Sequence, residues 1–497
     1  MPIKVAVVGA GSIGFTRSIF RDLLCVPELA DTEFAFTDIN PRNLDLVYRL
    51  CRRDLEASGL PARLSATTDR REAFTGADYV FCVVRVGGLE AFTTDVEIPL
   101  RYGIDQCVGD TLCAGGIMYA QRTIPVLLEF LRDLREVAAP DCLFINHANP
   151  MAMNMWACHQ DGGGVRAVGL CHGVQGGIAQ IARALGLPAE ELDIICAGIN
   201  HQTWYIGVRH RGRDLTCELL AAFEKHPELS RTEKVRIDML RRFGYYSTES
   251  NGHLSEYVPW YRKRPGEIRD WIDLSSWING ETGGYLRVCT EGRNWFEQDF
   301  PNWMAAPPRT FCPQDRGSEH GSYIVESLET GRVYRGHFNV PNRGCISNLP
   351  PDCIVEVPGY VDGNGISIPA VGNLPPGCAA VLNASVNVQR LAVEAAVSGD
   401  DLPLRQAMLM DPLVGAVCNP PEVWQLVDDL LIAQEQWLPQ YGRAAADARA
   451  RQSAGPRLPT RDYQGAARLH TRTVAQMRQE REQATRNAAA ADKAAGR

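Results

Sequence analysis

Two short segments near the middle of the chain carry side chains that bind metal ions or transfer protons. Cys171-His172 follows an apolar run at 167–170, and a second turn thirty residues later ends in His201. We expect both segments at strand or loop ends on the same edge of one sheet. A thiolate and an imidazole are too few ligands for a closed structural site, so an open catalytic metal is the functional interpretation. A buried cysteine beside a hydrogen-bonded histidine is the structural alternative, and the spacing alone favours it.

Asn149 and Asp110 are candidates for contacts with a polar ligand. Asn149 closes the preceding predicted strand, and its amide suits a sugar hydroxyl because it both donates and accepts hydrogen bonds. Asp110 lies in the glycine-rich segment 109–116, which we interpret as a flexible lid or a place of close backbone approach. An Asn-Pro turn and ordinary turn chemistry explain the same two residues without any ligand.

A glycine loop at the start of the chain predicts a dinucleotide site. The loop lies between an apolar run at 3–8 and a helical pattern at 15–24, and its G-x-G-x-x-G glycines are Gly9, Gly11 and Gly14. Such a loop lets the backbone approach a pyrophosphate while the N-terminus of the helix offers unpaired N–H groups. A tight turn alone would also use these glycines, but the strand and helix on either side favour nucleotide binding.

Asp38 predicts which dinucleotide this site binds. It ends the next predicted strand, 33–38, and lies 24 residues after Gly14. A carboxylate there accepts hydrogen bonds from the adenosine ribose and repels a 2′-phosphate, so NAD is favoured over NADP. Arg42 lies close enough to leave this preference open, and the alternative role of Asp38 is that of a turn residue.

The elements that position these residues indicate an α/β protein. Apolar runs at 78–84 and 141–146 alternate with helix-length segments, which predicts an N-terminal Rossmann-like, doubly wound parallel sheet. Beyond residue 198, amphipathic stretches and short strands predict a mixed α/β lobe. The expected divisions are an NAD-binding domain at 1–195, a substrate, metal and oligomerisation domain at 196–441, and a tail at 442–497. The aromatic and Pro-rich segment 286–314 is predicted to be a loop that lines or covers something.

Composition narrows the classes of partner. The formal net charge of the 497 residues is -8, which argues against general binding to nucleic acid or to an anionic membrane. We find no apolar run of about 18 residues or more and no signal peptide, so a cytoplasmic protein with a small-molecule substrate is expected. The tail at 442–497 carries twelve Lys or Arg against five Asp or Glu. It is predicted to be a solvated, partly disordered appendage with a frayed helix around 464–486.

A combination of short motifs resembles glycoside hydrolase family 4, whose first lobe is similar to lactate and malate dehydrogenases. The resemblance covers the chain from Val5 to about Tyr441. It is carried by Val8-Gly-Ala-Gly-Ser12, Arg85-Val-Gly-Gly88, Gly109-Asp-Thr111, Arg122-Thr-Ile-Pro125, Asn149-Pro-Met-Ala-Met153, Cys171-His172, Gly198-Ile-Asn-His201, Asn348-Leu-Pro350 and Val355-Glu-Val-Pro358. Within the family, the segments 169–176, 248–250 and 256–260 look most similar to the α-galactosidase branch.

The resemblance implies a glycosidase that cleaves by oxidation and elimination. NAD oxidises C3 of the sugar, a base removes the C2 proton, the C1 substituent leaves, water adds and the hydride returns. The family pattern implies a divalent metal, usually Mn²⁺, held by Cys171 and His201, with His172 as the acid. For the base we select Tyr257, with Tyr245 and Tyr246 as rivals. Asn149 and Asp110 are the expected substrate contacts, and a homodimer or homotetramer is the expected assembly.

Gly173 leaves the sugar open. The resemblance associates Ser at this position with α-galactosidases and Gly with α-glucosidases and α-glucuronidases, whereas His172 argues against a phosphorylated sugar. A simple NAD-dependent dehydrogenase and an inactive NAD-binding sensor are further alternatives. The segment 318–322 is superficially similar to the catalytic histidine loop of lactate dehydrogenases, but it lies too late in the chain for that role.

Overall fold

A computed structural model describes residues 2–494. The strands are β1 Lys4–Val8, β2 Glu33–Thr37, β3 Arg63–Thr67, β4 Tyr79–Cys82, β5 Leu143–Asn146, β6 Arg166–Gly169, β7 Leu192–Ile199, β8 Gln202–His210, β9 Arg213–Asp214, β10 Tyr246–Ser247, β11 Tyr334–Pro341, β12 Ile354–Asp362 and β13 Gly365–Ser367. The helices are α1 Ile13–Leu24, α2 Pro41–Ser58, α3 Arg70–Phe74, α4 Gly88–Leu100, α5 Cys113–Val137, α6 Met151–Asp161, α7 Gly173–Leu185, α8 Leu219–Lys225, α9 Leu229–Thr232, α10 Lys234–Phe243, α11 Asn251–Tyr257, α12 Pro265–Trp271, α13 Gly284–Ala305, α14 His320–Thr330, α15 Pro376–Ser398, α16 Asp401–Met410, α17 Pro412–Val417, α18 Pro420–Gln434, α19 Gly442–Ala454 and α20 Val474–Ala494.

The first six strands form the predicted Rossmann-like sheet. They are parallel and lie in the order β3-β2-β1-β4-β5-β6. Strands β1, β2, β4 and β5 are almost wholly buried, which is why their sequences are continuous apolar runs. The edge strand β3 is largely exposed and polar, so the sequence has no apolar run that would predict it.

The second half of the chain extends the same sheet. Strand β11 pairs antiparallel with β6, β12 pairs with β11 and β7, and β8 and β10 complete the far edge. One row of paired residues connects the two halves of the sheet through β6, β11, β12 and β7. Gly169 pairs with Asn339, Asn339 with Glu356, and Glu356 with Gly198. This row matters for function, because Cys171 follows Gly169 by two residues and His201 follows Gly198 by three.

The segment 286–314 is mainly helical, so the prediction of a loop there is wrong for most of its length. Helix α13 extends to Ala305 and buries Leu286, Phe296 and Phe300. Phe296 and Phe300 are four residues apart and therefore lie on one helical face. Polar and aromatic neighbours, together with Pro301, obscured this period in the sequence.

The C-terminal tail is folded against the body of the protein, unlike the solvated appendage that was expected. Ala466 and Ala467 are buried, and Tyr463 donates to Asp105 at 2.8 Å. Six of its arginines pair with acidic residues of the body, among them Arg468 with Glu97, Arg472 with Glu291 and Arg478 with Asp299. The basic tail thus binds the acidic remainder of the chain. Among the helices of residues 2–494, none combines the length and apolarity needed to span a bilayer.

Candidate active site

The glycine loop follows β1 and turns the chain into α1. Gly9 has φ of +86°, and a Cβ there would lie 2.9 Å from the backbone carbon of Val83, so the position requires glycine. Ser12, which precedes α1, makes no side-chain capping bond, and the first N–H groups of the helix therefore remain available to an anion. These features fit the pyrophosphate of a dinucleotide.

Asp38 lies directly against this loop. Its Oδ2 accepts a hydrogen bond from the backbone N–H of Gly11 at 2.8 Å, and its Oδ1 accepts one from Asn40 at 2.8 Å. Asp38 therefore has both of the roles that the sequence offered as alternatives: it stabilises a turn, and it lies beside the nucleotide loop. Arg42 lies 3.8 Å from Glu297, in a largely exposed ion pair.

Cys171, His201, Glu249 and His253 form a group that we call the metal-side cluster. One donor atom each from Cys171, His201 and Glu249 lies within 4.8 Å of the other two. Cys171 lies between β6 and α7, His201 lies in the turn between β7 and β8, and Glu249 lies between β10 and α11. The continuous sheet thus brings together at one edge the two residues that the sequence predicted as ligands, and it adds a carboxylate.

Hydrogen bonds orient His201. Thr111 Oγ1 donates to Asp110 Oδ1 at 2.7 Å, so it accepts from His201 Nδ1 at 2.8 Å. A neutral imidazole then carries its lone pair on Nε2, which faces Glu249 Oε2 at 2.8 Å. His201 has φ of +60°, an uncommon conformation for a residue with a side chain. Such support of the distal ring nitrogen is typical of histidines that bind metals.

The electrostatics of the metal-side cluster suit a cation. Burial raises the pKa of the Cys171 thiol above its usual value, although His201 opposes this shift. Burial alone would also raise the pKa of Glu249, but the nearby charges of His201 and His253 hold it well below its usual range. A divalent ion would stabilise a thiolate and a carboxylate together at this place. A thiolate, an imidazole and a carboxylate are also ligands that transition metals accept.

Asp110 and Asn149 meet beside the metal-side cluster. Asn149 Nδ2 donates to Asp110 Oδ2 at 2.9 Å, and Asp110 lies in a second potential metal-binding group with His201 and His253. The Asp110 loop is held from below by Glu256, whose carboxylate accepts three backbone N–H groups at 2.7, 3.1 and 2.9 Å, those of Cys107, Val108 and Gly109. Two predicted substrate contacts therefore adjoin the predicted ligands.

Tyr257 lies one helical turn after His253, and their rings are 6.0 Å apart. Its hydroxyl is buried and makes no hydrogen bond with a described residue. Burial, reinforced by the charge of Asp110, raises the pKa of Tyr257 well above its usual value. An unpartnered buried hydroxyl is costly, and a ligand or cation would compensate for it.

The rival tyrosines have other surroundings. Tyr246 donates to Gln180 at 3.0 Å, and its ring stacks on Phe223 at 4.2 Å. Tyr245 is partly buried against the largest hydrophobic core. Tyr257 also packs in this core, but its hydroxyl, unlike that of Tyr246, makes no hydrogen bond with a described residue.

His172 belongs to a second group, the rim cluster, which consists of His147, His172, Glu319 and His320. The side chain of His172 is 45% exposed, and its Nε2 lies 3.3 Å from Glu319 Oε2. The carboxylate of Glu319, which accepts from the His172 ring, raises the pKa of His172 despite partial burial. His147 Nε2 lies 3.7 Å from the other Glu319 oxygen, and the His320 ring is 5.3 Å from that of His172.

Sequence reasoning missed three acidic residues of this region. Glu249 was noticed only as part of a motif, and Glu319 was set aside because the segment 318–322 lies late in the chain. Helix α14 nevertheless brings Glu319 to His172. Glu356, on β12, is buried beside the turn that carries His201 and accepts a hydrogen bond from Asn200 at 3.3 Å. In the sequence it was named only within the motif Val355-Glu-Val-Pro358, as a carboxylate in an otherwise apolar strand, and no role was assigned to it.

A parallel sheet in this order, with a glycine loop after its first strand, defines the chain as a Rossmann-like α/β protein. Comparison with known proteins makes this class specific. The family described as "Family 4 glycosyl hydrolase" matches residues 4–187, and its C-terminal domain matches residues 196–414. The chain belongs to family 4 of the glycosyl hydrolases.

Individual relatives cover nearly the whole chain. An α-galactosidase of Rhizobium meliloti (strain 1021) is 57% identical over 487 residues, which are 98% of this chain and 99% of the relative. An α-galactosidase of Bacillus subtilis (strain 168) is 33% identical over 88% of this chain and 99% of its own. A solved 6-phospho-α-glucosidase from gut microorganisms, in complex with NAD and glucose-6-phosphate, is 26% identical with a TM-score of 0.73, covering 88% and 99% of the two chains.

Proposed function

We propose that this chain hydrolyses α-galactosides with NAD and a divalent metal ion as cofactors, and that the metal ion is Mn²⁺. The convergence of Cys171, His201 and Asp110 at one edge of a Rossmann-like sheet is the observation that carries this proposal. The two α-galactosidases at 57% and 33% identity support the substrate, and the NAD complex of a 26% identical relative supports the cofactor. Membership of a hydrolase family speaks against the simple dehydrogenase and the inactive sensor.

The glycine loop and Asp38 would hold the dinucleotide, and Cys171 and His201 would hold the metal. When bound, the nicotinamide supplies a reversible hydride acceptor for C3 of the sugar, and the metal supplies a Lewis acid that makes the neighbouring C2 hydrogen acidic. Asn149 and Asp110 offer an amide and a carboxylate, which together can donate to and accept from sugar hydroxyls. Their mutual hydrogen bond at 2.9 Å keeps both groups oriented before the sugar arrives.

Tyr257 is our proposed base for the C2 proton. Its hydroxyl oxygen is buried near Asp110 and the metal-side cluster, and it has no partner among the described residues. Because burial raises its pKa, Tyr257 can act as a tyrosinate only with positive charge nearby. The proposed metal provides that charge.

His172 is our proposed acid for the departing oxygen at C1. Glu319 engages its Nε2 and stabilises the imidazolium form, so the Nδ1 proton is the one that it can donate. Its exposure at the rim gives a leaving group of variable size access to this proton.

The decisive assay combines turnover with isotope exchange. Nitrophenyl α-galactoside, α-glucoside and α-glucuronide are each incubated with the protein, NAD, Mn²⁺ and a reductant. We expect nitrophenol to be released fastest from the α-galactoside, with no net formation of NADH. When the reaction is run in D₂O, the released sugar should carry deuterium at C2. Faster release from either other sugar would replace the substrate assignment. Stoichiometric NADH without hydrolysis would identify a dehydrogenase and refute the proposal.

The cytoplasmic location and the homodimeric or homotetrameric assembly stay predictions. Light scattering of the purified protein measures the assembly directly. Cell fractionation measures the location.

A further inference from the structure

Glu249, to which the sequence assigned no role, lies beside the two residues that we propose as metal ligands. Its Oε2 is 2.8 Å from His201 Nε2 and 3.7 Å from His253 Nε2, and its side chain is 19% exposed. A donor atom of Glu249 also lies within 4.8 Å of those of Cys171 and His201. A carboxylate this close to a ligand nitrogen is either a partner that orients the ring or a ligand itself.

The hydrogen bonds around His201 are compatible with the second role. Thr111 occupies Nδ1, so in the neutral ring the Nε2 lone pair points toward the carboxylate of Glu249. Two electron-rich atoms 2.8 Å apart need a proton or a metal ion between them. Metal–ligand bonds of about 2.0 to 2.3 Å leave neighbouring donor atoms about 3 Å apart, which matches this separation.

Gly173 provides an independent observation. A Cβ at this position would lie 3.0 Å from Cγ and 3.1 Å from Cδ of Glu249. The φ of Gly173 is not positive and the residue begins α7, so the backbone alone does not call for glycine. The absent side chain makes the space in which the Glu249 carboxylate lies.

We propose that Glu249 is a third protein ligand of the divalent metal, beside Cys171 and His201, and that Gly173 gives it room. This inference rests on the metal of the proposed function. A thiolate and a carboxylate together neutralise a divalent charge in a buried site, and an oxygen ligand adds affinity for Mn²⁺, which thiolate and imidazole alone do not favour.

Metal binding to the intact protein tests this proposal without reference to turnover. The full chain is freed of metal under reductant, Mn²⁺ affinity is measured by the electron paramagnetic resonance signal of free Mn²⁺, and Co²⁺ absorption reports the ligands. Loss of a residue that only orients a ligand costs about 10- to 100-fold in affinity. We expect Glu249→Gln to lose more than about 100-fold and Glu249→Asp to recover part of it. The thiolate-to-Co²⁺ band should persist in Glu249→Gln while the d–d bands change.

Gly173→Ser completes a double-mutant cycle. The serine side chain would press on the Glu249 carboxylate, so it should lower Mn²⁺ affinity by no more than about tenfold in the parent and not at all in Glu249→Gln. Metal binding itself should persist, since serine is the residue that the resemblance associates with α-galactosidases at this position. Glu191→Gln is a matched control, because Glu191 also lies 2.8 Å from an imidazole, that of His210 on the surface. It should bind Mn²⁺ as the parent does. Unchanged NAD binding and thermal midpoint verify folding.

Two results separate the failure of this proposal from that of the function. If Glu249→Gln binds Mn²⁺ within about 100-fold of the parent and its Co²⁺ d–d bands are unchanged, Glu249 only orients His201, and the proposed function still stands. If the parent binds no Mn²⁺, or Cys171→Ser binds it equally well, the metal assignment of the proposed function fails first.

Discussion

The metal-side cluster and the rim cluster both place one carboxylate between two imidazoles, yet their surroundings differ. The metal-side cluster adds the thiol of Cys171, and its two imidazoles are buried, with His201 and His253 only 5% and 4% exposed. The rim cluster consists of nitrogen and oxygen groups, and its His172 side chain is 45% exposed.

This difference teaches that neighbours, more than the functional groups themselves, decide what a histidine does. A thiol beside a buried imidazole with a fixed ring orientation suits a metal cation. A buried thiolate or carboxylate is costly unless a positive charge such as a metal ion compensates for it. An exposed imidazole paired with a carboxylate suits proton transfer near neutral pH. The four variants below test this division of labour, beginning with the largest expected effect.

Cys171→Ser should remove the metal and reduce kcat/KM by about 10⁴-fold or more, because Lewis acid catalysis contributes several kcal/mol. NAD binding, measured by fluorescence titration, should stay within about twofold, since the glycine loop lies on a different part of the sheet. If the variant keeps its metal-dependent hydrolysis, Cys171 is not a metal ligand, and the assignment of metal binding to the metal-side cluster is wrong.

His172→Asn should leave Mn²⁺ affinity unchanged and lower kcat/KM by about 10²- to 10³-fold on a substrate with a poor leaving group, such as an alkyl α-galactoside. The loss should be smaller with a nitrophenyl group, which departs without protonation. An equal loss on both substrates would contradict the role of acid, and a loss of Mn²⁺ would move His172 into the other cluster.

Asp38→Ala is expected to act on neither cluster. Loss of a hydrogen bond to a charged group costs about 1.5 to 3 kcal/mol, so NAD affinity should fall about 10- to 100-fold. At saturating NAD, kcat should return to the level of the parent. A kcat that stays low would mean that the glycine loop is coupled to one of the clusters.

Glu319→Gln should shift the pH dependence without removing activity. The carboxylate raises the pKa of His172, so the protonated, active form persists below that pKa and is lost as pH rises through it. Removing the charge should move the alkaline limb of kcat/KM to lower pH by roughly one unit. A pH profile that superimposes on that of the parent would break the link between Glu319 and His172. Glu249→Gln should not reproduce this shift.

Much of the fold was predictable because its signals are local. Strands β1, β2, β4 and β5 are short apolar runs, and Gly9 has the positive φ that a tight turn after a strand requires. The exposed strand β3 and the helix α13 escaped prediction, since a polar edge strand has no apolar run and the aromatic and proline residues of α13 masked its period. The tail was missed because ion pairs between distant segments leave no periodic pattern.

The candidate site was predictable only in part. The reactive side chains Cys171 and His201 could be selected by their chemistry and their places after predicted strands. Glu249 lies 78 residues after Cys171, and Glu319 lies 147 residues after His172. Nothing in the local sequence linked these carboxylates to their histidines.

The sequence by itself determined the Rossmann-like half, the family and the identity of the candidate ligands, because each of these is written in short motifs. Only the tertiary structure decided which carboxylate meets which histidine, and which of the three tyrosines places a buried hydroxyl near Asp110 without a hydrogen-bond partner among residues 2–494. The physical reason is the register of one continuous sheet. The row from Gly169 to Gly198 joins strands from both halves of the chain, and side chains beyond that row converge only when all four strands are paired.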